Sequence, residues 1–144
     1  MKKILIVDDS PSMRMVLRYI LEQKQKQKPK GKAKAKLKQK QKQTQIEEDY
    51  KFFEADSEEE ALMQFKKESP DLVLLDIIMP GGDEVGIRLL KKIRAINPKQ
   101  AVVMISAIGQ DQTIAECAKL GAIDFIVKPF DDLAVLAVVE RSLA

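Results

Sequence analysis

The 144-residue sequence contains no histidine, no tryptophan and one cysteine. Without histidine the chain cannot carry a histidine-based catalytic triad or a histidine-containing zinc site, and it cannot donate a phosphoryl group from phosphohistidine. A lone Cys117 cannot close an internal disulfide, which points to a reduced, cytoplasmic setting. Long apolar runs are missing as well. Met1-Lys2-Lys3 leads into only four apolar residues before Asp8-Asp9 end the run, so no signal peptide is expected. No stretch approaches the roughly 20 apolar residues of a membrane helix, so no transmembrane segment is expected either. What is present, 45% hydrophobic residues in a short chain, fits a single domain over residues 1–144 with its own core.

Charge is unevenly spread. The net charge is +3, yet all ten charged residues within 23–45 are lysines, one at every even position from Lys24 to Lys42. Without them the chain has 15 basic and 22 acidic residues and a net charge of −7. No apolar series alternates with the lysines, so a strand there would have no face to bury, and Pro29 and Gly31 interrupt a long helix. The expectation is a solvated loop, because like charges repel and nothing offsets the ordering entropy, with a helical extension on either side of Pro29-Lys30-Gly31 as the other reading. No aromatics lie among the lysines for base stacking, so specific nucleic-acid recognition is not expected. A spacer, or a docking segment for an acidic partner or anionic lipid, fits better.

Outside this insertion, short apolar runs alternate with helical patterns. Residues 3–7, 72–75, 101–105 and 123–127 read as strands buried on both faces, and residues 50–54 as a weaker edge strand. Ser10-Pro11 opens the first helix, with an apolar stripe of Met13, Val16, Leu17, Ile20 and Leu21. Ser57 and Glu60 form a capping box for the second, which would bury Ala61, Leu62 and Phe65. A third helix is expected over 85–96, a fourth over 111–120 ending at Gly121, and a fifth from about Asp131. This βαβαβαβαβα order implies a parallel sheet with helices on both faces and right-handed crossovers.

The informative polar residues fall at the carboxyl ends of these strands, where α/β sheets form ligand crevices. They are Asp8, Asp9, Asp76, Ser106 and Lys128. Each has an ordinary structural reading: an Asp after a strand caps a helix, a Ser ends a turn, and Lys-Pro marks a loop. Together, three carboxylates at one edge repel unless a cation joins them, and an all-oxygen ligand set suits a hard ion such as Mg²⁺.

Four motifs in order carry a resemblance covering the chain outside the insertion. They are residues 6–10 (IVDDS), 74–81 (LLDIIMPG), 105–107 (ISA) and 121–130 (GAIDFIVKPF). The sequence resembles the receiver domain of two-component response regulators, of the stand-alone chemotaxis-regulator type. That resemblance implies a doubly wound, flavodoxin-like (βα)5 domain with strand order 2-1-3-4-5. It implies that Asp76 takes a phosphoryl group from a partner phosphohistidine, on a sensor histidine kinase or histidine phosphotransfer protein. Asp9, Asp76 and the backbone carbonyl of Ile78 would hold Mg²⁺ directly, and Asp8 through a water. Lys128 would pair with Asp76 and then with the phosphoryl group. Ala107 would allow the phosphoryl group to approach by being small, with its backbone at the phosphoryl site. Ser106 and Phe125 would form the switch, the ring of Phe125 turning from exposed to buried, and Pro129 would follow a cis peptide bond.

Departures from the family pattern stand beside these features. The segment after Met79-Pro80-Gly81 is about two residues longer than usual before the third helix. Ile78 and Ile108 are apolar where some relatives admit water through polar residues, which implies slow loss of the phosphoryl group. The lysine insertion is absent from most receivers. Seven consecutive apolar residues over 133–139 suggest a contact surface, with a dimer through helix 4, strand 5 and helix 5 as one form of it. No output segment is expected after the fifth helix. The expected function is therefore a phosphoacceptor switch signalling to a downstream target protein in chemotaxis or a phosphorelay, not a turnover enzyme. A Mg²⁺-dependent aspartyl-phosphate phosphohydrolase, and a scaffold docked by its polylysine segment, are the other readings.

Overall fold

The computed structural model describes residues 1–26, 49–79, 82, 84–107 and 110–144. Ten elements alternate along the chain: β1 Lys2–Val7, α1 Pro11–Lys26, β2 Tyr50–Ala55, α2 Glu58–Glu68, β3 Leu72–Asp76, α3 Glu84–Ile96, β4 Val102–Ser106, α4 Asp111–Lys119, β5 Asp124–Val127 and α5 Asp132–Leu143. The five strands form one parallel sheet in the order β2-β1-β3-β4-β5, so the expected topology is the observed one and β2 lies at an edge.

Strand alternation divides the interior into two layers. Ile4, Ile6, Leu72, Leu74, Val103 and Ile105 face α1 and α5, where they meet Leu17, Leu21, Val135 and Val139. Leu5, Val7, Val73, Leu75, Val102 and Met104 face the other way, towards Phe65, Leu89, Ile93 and Cys117 of α2, α3 and α4. Every residue of β3 and β4 is buried, which explains their unbroken apolar reading. Burial of each large side chain contributes about 1.5–3 kcal/mol.

The helix signals are realised locally. Ser10 Oγ accepts the Met13 N–H at 3.3 Å in front of Pro11, and Ser57 Oγ accepts the Glu60 N–H at 3.2 Å. The Ser57 half of the capping box is made, and the neighbouring Asp56 raises the pKa of the Glu60 carboxyl. Gly121 adopts φ 100° behind α4, where the Arg94 guanidinium donates to its carbonyl and to that of Gln100.

The helical extension that the sequence allows ahead of Pro29 is present, since α1 continues to Lys26 and Gln and Lys are good helix formers. Residues 27–45 of the insertion lie outside the described residues. Val16, expected in the buried stripe, is exposed with Met15 and Tyr19, because Leu17, Ile20 and Leu21 already fill the contact with the sheet.

Candidate functional site

β1 delivers Asp8 and Asp9 side by side, one buried and one exposed. Asp8 Oδ1 accepts the Ser10 N–H at 2.9 Å, so Asp8 braces the residue that caps α1. Its other oxygen is buried without a hydrogen-bond partner and lies 3.4 Å from Lys128 Nζ. The capping reading and the ligand reading thus apply to different oxygens of one side chain. Arg14 fixes the corner from α1, donating to the Asp8 carbonyl and, at 2.9 Å, to Glu54 Oε1.

Asp76 ends β3 and is 4% exposed. Its Oδ1 accepts the Ile78 N–H at 3.1 Å and its Oδ2 accepts from Lys128 Nζ at 3.0 Å. Lys128 is carried in by β5, with its own N–H on the Ser106 carbonyl at 2.8 Å and a cis bond to Pro129. Ser106 ends β4; its Oγ is buried and unpartnered. The next residue, Ala107, donates its N–H to Gln110 Oε1 at 2.6 Å. Phe125 of β5 pairs with Met104 and is partly buried against the α2–α4 layer.

The electrostatics follow from burial and crowding. Burial, seconded by the charge of Asp8, pushes the Asp76 carboxyl up to about 6 despite the opposing pull of Lys128 and the Ile78 N–H. Burial alone would lower the Lys128 ammonium, but Asp76 and Asp8 outweigh it and raise its pKa. One oxygen from each of Asp8, Asp9 and Asp76 can be chosen so that all lie within 4.8 Å of one another. A single ammonium cannot neutralise three carboxylates, and Asp8 keeps a buried oxygen without a donor. The donor set therefore fits a hard divalent cation bound by oxygen.

All five polar residues expected at the strand ends meet at this edge. The side chain of Ile78 stands 45% exposed beside Asp76. Ile108 lies outside the described residues, as do residues 80, 81 and 83 of the long segment before α3. Sequence reasoning missed three contributors. Arg14 is one turn into α1 on its polar side, where nothing marks its target; Gln110 occupies the cap position of α4, and the lack of a Ser, Thr, Asp or Asn there was the available signal. Gly86 lets α3 lie against the site backbone: a Cβ there would fall 2.6 Å from the Ile77 oxygen and 2.9 Å from that of Asp76.

Known proteins are similar to this chain in sequence and in fold. The family described as "Response regulator receiver domain" matches residues 33–140. The sequence is 37% identical over 141 residues to Protein CcdB and 34% identical over 141 residues to Chemotaxis protein CheY, both of Bacillus subtilis strain 168. Each match covers 98% of this chain and 97% of the relative, and so takes in β1, which the family match leaves out. Among solved structures, the receiver domain of NtrX from Brucella abortus is similar with a TM-score of 0.74 and 30% identity, covering 97% of both chains. Nearly end-to-end likeness in sequence and in fold leads to one conclusion: the chain belongs to the response regulator receiver domain family of two-component signalling.

Proposed function

We propose that this chain is a phosphoacceptor switch whose Asp76 receives the phosphoryl group of a partner phosphohistidine. The observation that carries this reading is the cluster itself: three carboxylates within 4.8 Å of one another, with Lys128 Nζ 3.0 Å from Asp76 and 3.4 Å from Asp8. A carboxylate oxygen of Asp76 forms a bond to phosphorus, the phosphorus–nitrogen bond breaks, and its electron pair leaves with the donor imidazole. The donor belongs to a sensor kinase or phosphotransfer protein, since this chain contains no histidine.

Each residue has a part that its geometry supports. With its pKa at about 6, Asp76 is mostly ionised at neutral pH while losing the hydration that would blunt a carboxylate in water. Lys128 neutralises Asp76 before transfer and follows the phosphoryl oxygens after it. Asp8 and Asp9, with Asp76 and the Ile78 carbonyl, would hold Mg²⁺. When bound, that ion would reduce repulsion between the carboxylates and the incoming anion. Ser106 Oγ, buried and unpartnered, supplies a donor for the phosphoryl group, and its movement leaves room for the ring of Phe125 beside Met104.

The reading extends to residues 1–144 as one receiver domain interrupted by the lysine insertion, signalling to a target protein through contact. The matches over 97% of two relatives' lengths support that extent. The test is incubation with Mg²⁺ and acetyl phosphate followed by intact mass measurement. A stoichiometric phosphoryl adduct, absent from Asp76→Asn, is the expected result. Continuous release of phosphate without an adduct would instead mark a hydrolase and overturn the proposal.

A further inference from the structure

We infer that Gln110 is a positioning residue that occupies the Ala107 N–H in the unphosphorylated chain and yields it to the phosphoryl group; this rests on the reading of Asp76 as the phosphoacceptor. The Ala107 N–H meets Gln110 Oε1 at 2.6 Å, short for a neutral amide pair. This donor belongs to the corner that faces Asp76. Sheet register pairs Asp76 with Ile105, two residues before Ala107, and the Ser106 carbonyl between them is tied to Lys128.

Gln110 stands at the N-cap of α4 yet makes no side-chain hydrogen bond to that helix. An N-cap side chain ordinarily accepts one of the helix's unsatisfied N–H groups. Here the amide oxygen is spent on Ala107 instead. A phosphoryl oxygen on Asp76 carries more negative charge than an amide oxygen and is the stronger acceptor. The Ala107 N–H then changes acceptor, and Gln110 is released towards the unsatisfied N–H groups opening α4. No covalent bond changes at Gln110; one hydrogen bond is exchanged. The contact therefore opposes phosphorylation and carries its occurrence into α4 by a route separate from the ring of Phe125.

The experiment follows adduct formation by intact mass in the full-length chain with Mg²⁺ and acetyl phosphate. Gln110→Met keeps the side-chain length but removes the acceptor, whereas Gln110→Glu keeps an acceptor. Gln110→Met is expected to be phosphorylated about three- to tenfold faster, the span of one neutral hydrogen bond, and Gln110→Glu no faster than wild type. Amide resonances add a measurement on the unaltered chain: on phosphorylation the Ala107 N–H and the Gln110 side-chain NH₂ shift together. A wild-type rate in Gln110→Met, equal acceleration in both variants, or an Ala107 shift with unmoved Gln110 resonances overturns the exchange. A wild-type chain that forms no adduct overturns the phosphoacceptor reading and this inference with it.

Discussion

A carboxylate buried beside another carboxylate stores free energy that a cation can release, and Asp76 is in that position. Its folded-state pKa of about 6 lies above its ordinary value of 3.8. A raised folded pKa contributes stability that is complete below the ordinary value and is lost as pH rises through about 6. Metal-free protein is therefore expected to melt at lower temperature at pH 8 than at pH 5, with Asp76→Asn removing that group's part of the slope. At pH 8 the Asn variant gains about 1–2 kcal/mol, less than the full shift implies because Lys128 loses a partner. Added Mg²⁺ should raise the wild-type melting temperature and leave Asp76→Asn nearly unmoved; thermal melts across pH with and without Mg²⁺ check both. On the proposed reading, Ile78 would govern a later step. Its side chain, 45% exposed beside Asp76, presents hydrocarbon where water would have to approach the proposed acyl phosphate. The adduct is expected to persist well beyond seconds, and Ile78→Asn to shorten its lifetime several-fold in a decay time course. A wild-type half-life of only seconds would refute the role given to Ile78.

At the scale of elements, α3 is set against the site more tightly than any propensity would suggest. Gly86→Ala would drive a methyl group into the backbone oxygens of Ile77 and Asp76, atoms that cannot rotate away. We expect a loss of about 2–3 kcal/mol in denaturant titration and weaker Mg²⁺ binding, since the displaced backbone carries Asp76. The ion pairs of Glu58 with Arg88 and Lys92 join α2 to α3 on the surface, where solvent screens them, and Arg88→Ala should leave the denaturation midpoint close to that of the wild type. This contrast also explains what the sequence discloses. Residues 72–75 and 102–105 announce buried strands because each layer demands apolar side chains, and Ser10, Ser57 and Gly121 announce helix ends by chemistry local to each turn. Asp8, Asp76 and Lys128 could be grouped because topology sends every strand end to one edge. Gly86, Arg14 and Gln110 owe their importance to partners that become neighbours only after folding, and Val16 reads as core because periodicity does not tell which of two adjacent apolar residues the sheet will cover.

For the molecule as a whole, the positive total charge belongs to a segment that contributes none of the site residues. Removing residues 27–45 takes away eight lysines and leaves 17 basic against 22 acidic residues, a net charge of −5. The shortened chain is expected to keep its adduct yield with acetyl phosphate and its melting temperature to within a few degrees, while binding an anion exchanger instead of a cation exchanger near neutral pH. A large fall in melting temperature would show that the segment supports the fold. Among the described residues, no helix is long and apolar enough to cross a membrane. Leu133, at the start of α5, is apolar and 76% accessible, and the proposed target or dimer contact would be tested there first. Cys117 offers a way to watch such events. Buried in α4 against the α2–α4 layer, with its thiol pushed up by burial, it is expected to be nearly silent towards alkylating reagents while that helix is seated. Alkylation of Cys117 would thus report any opening of α4 in the native chain, and a second cysteine placed at Leu133 would take a fluorescent label with little competition from the first.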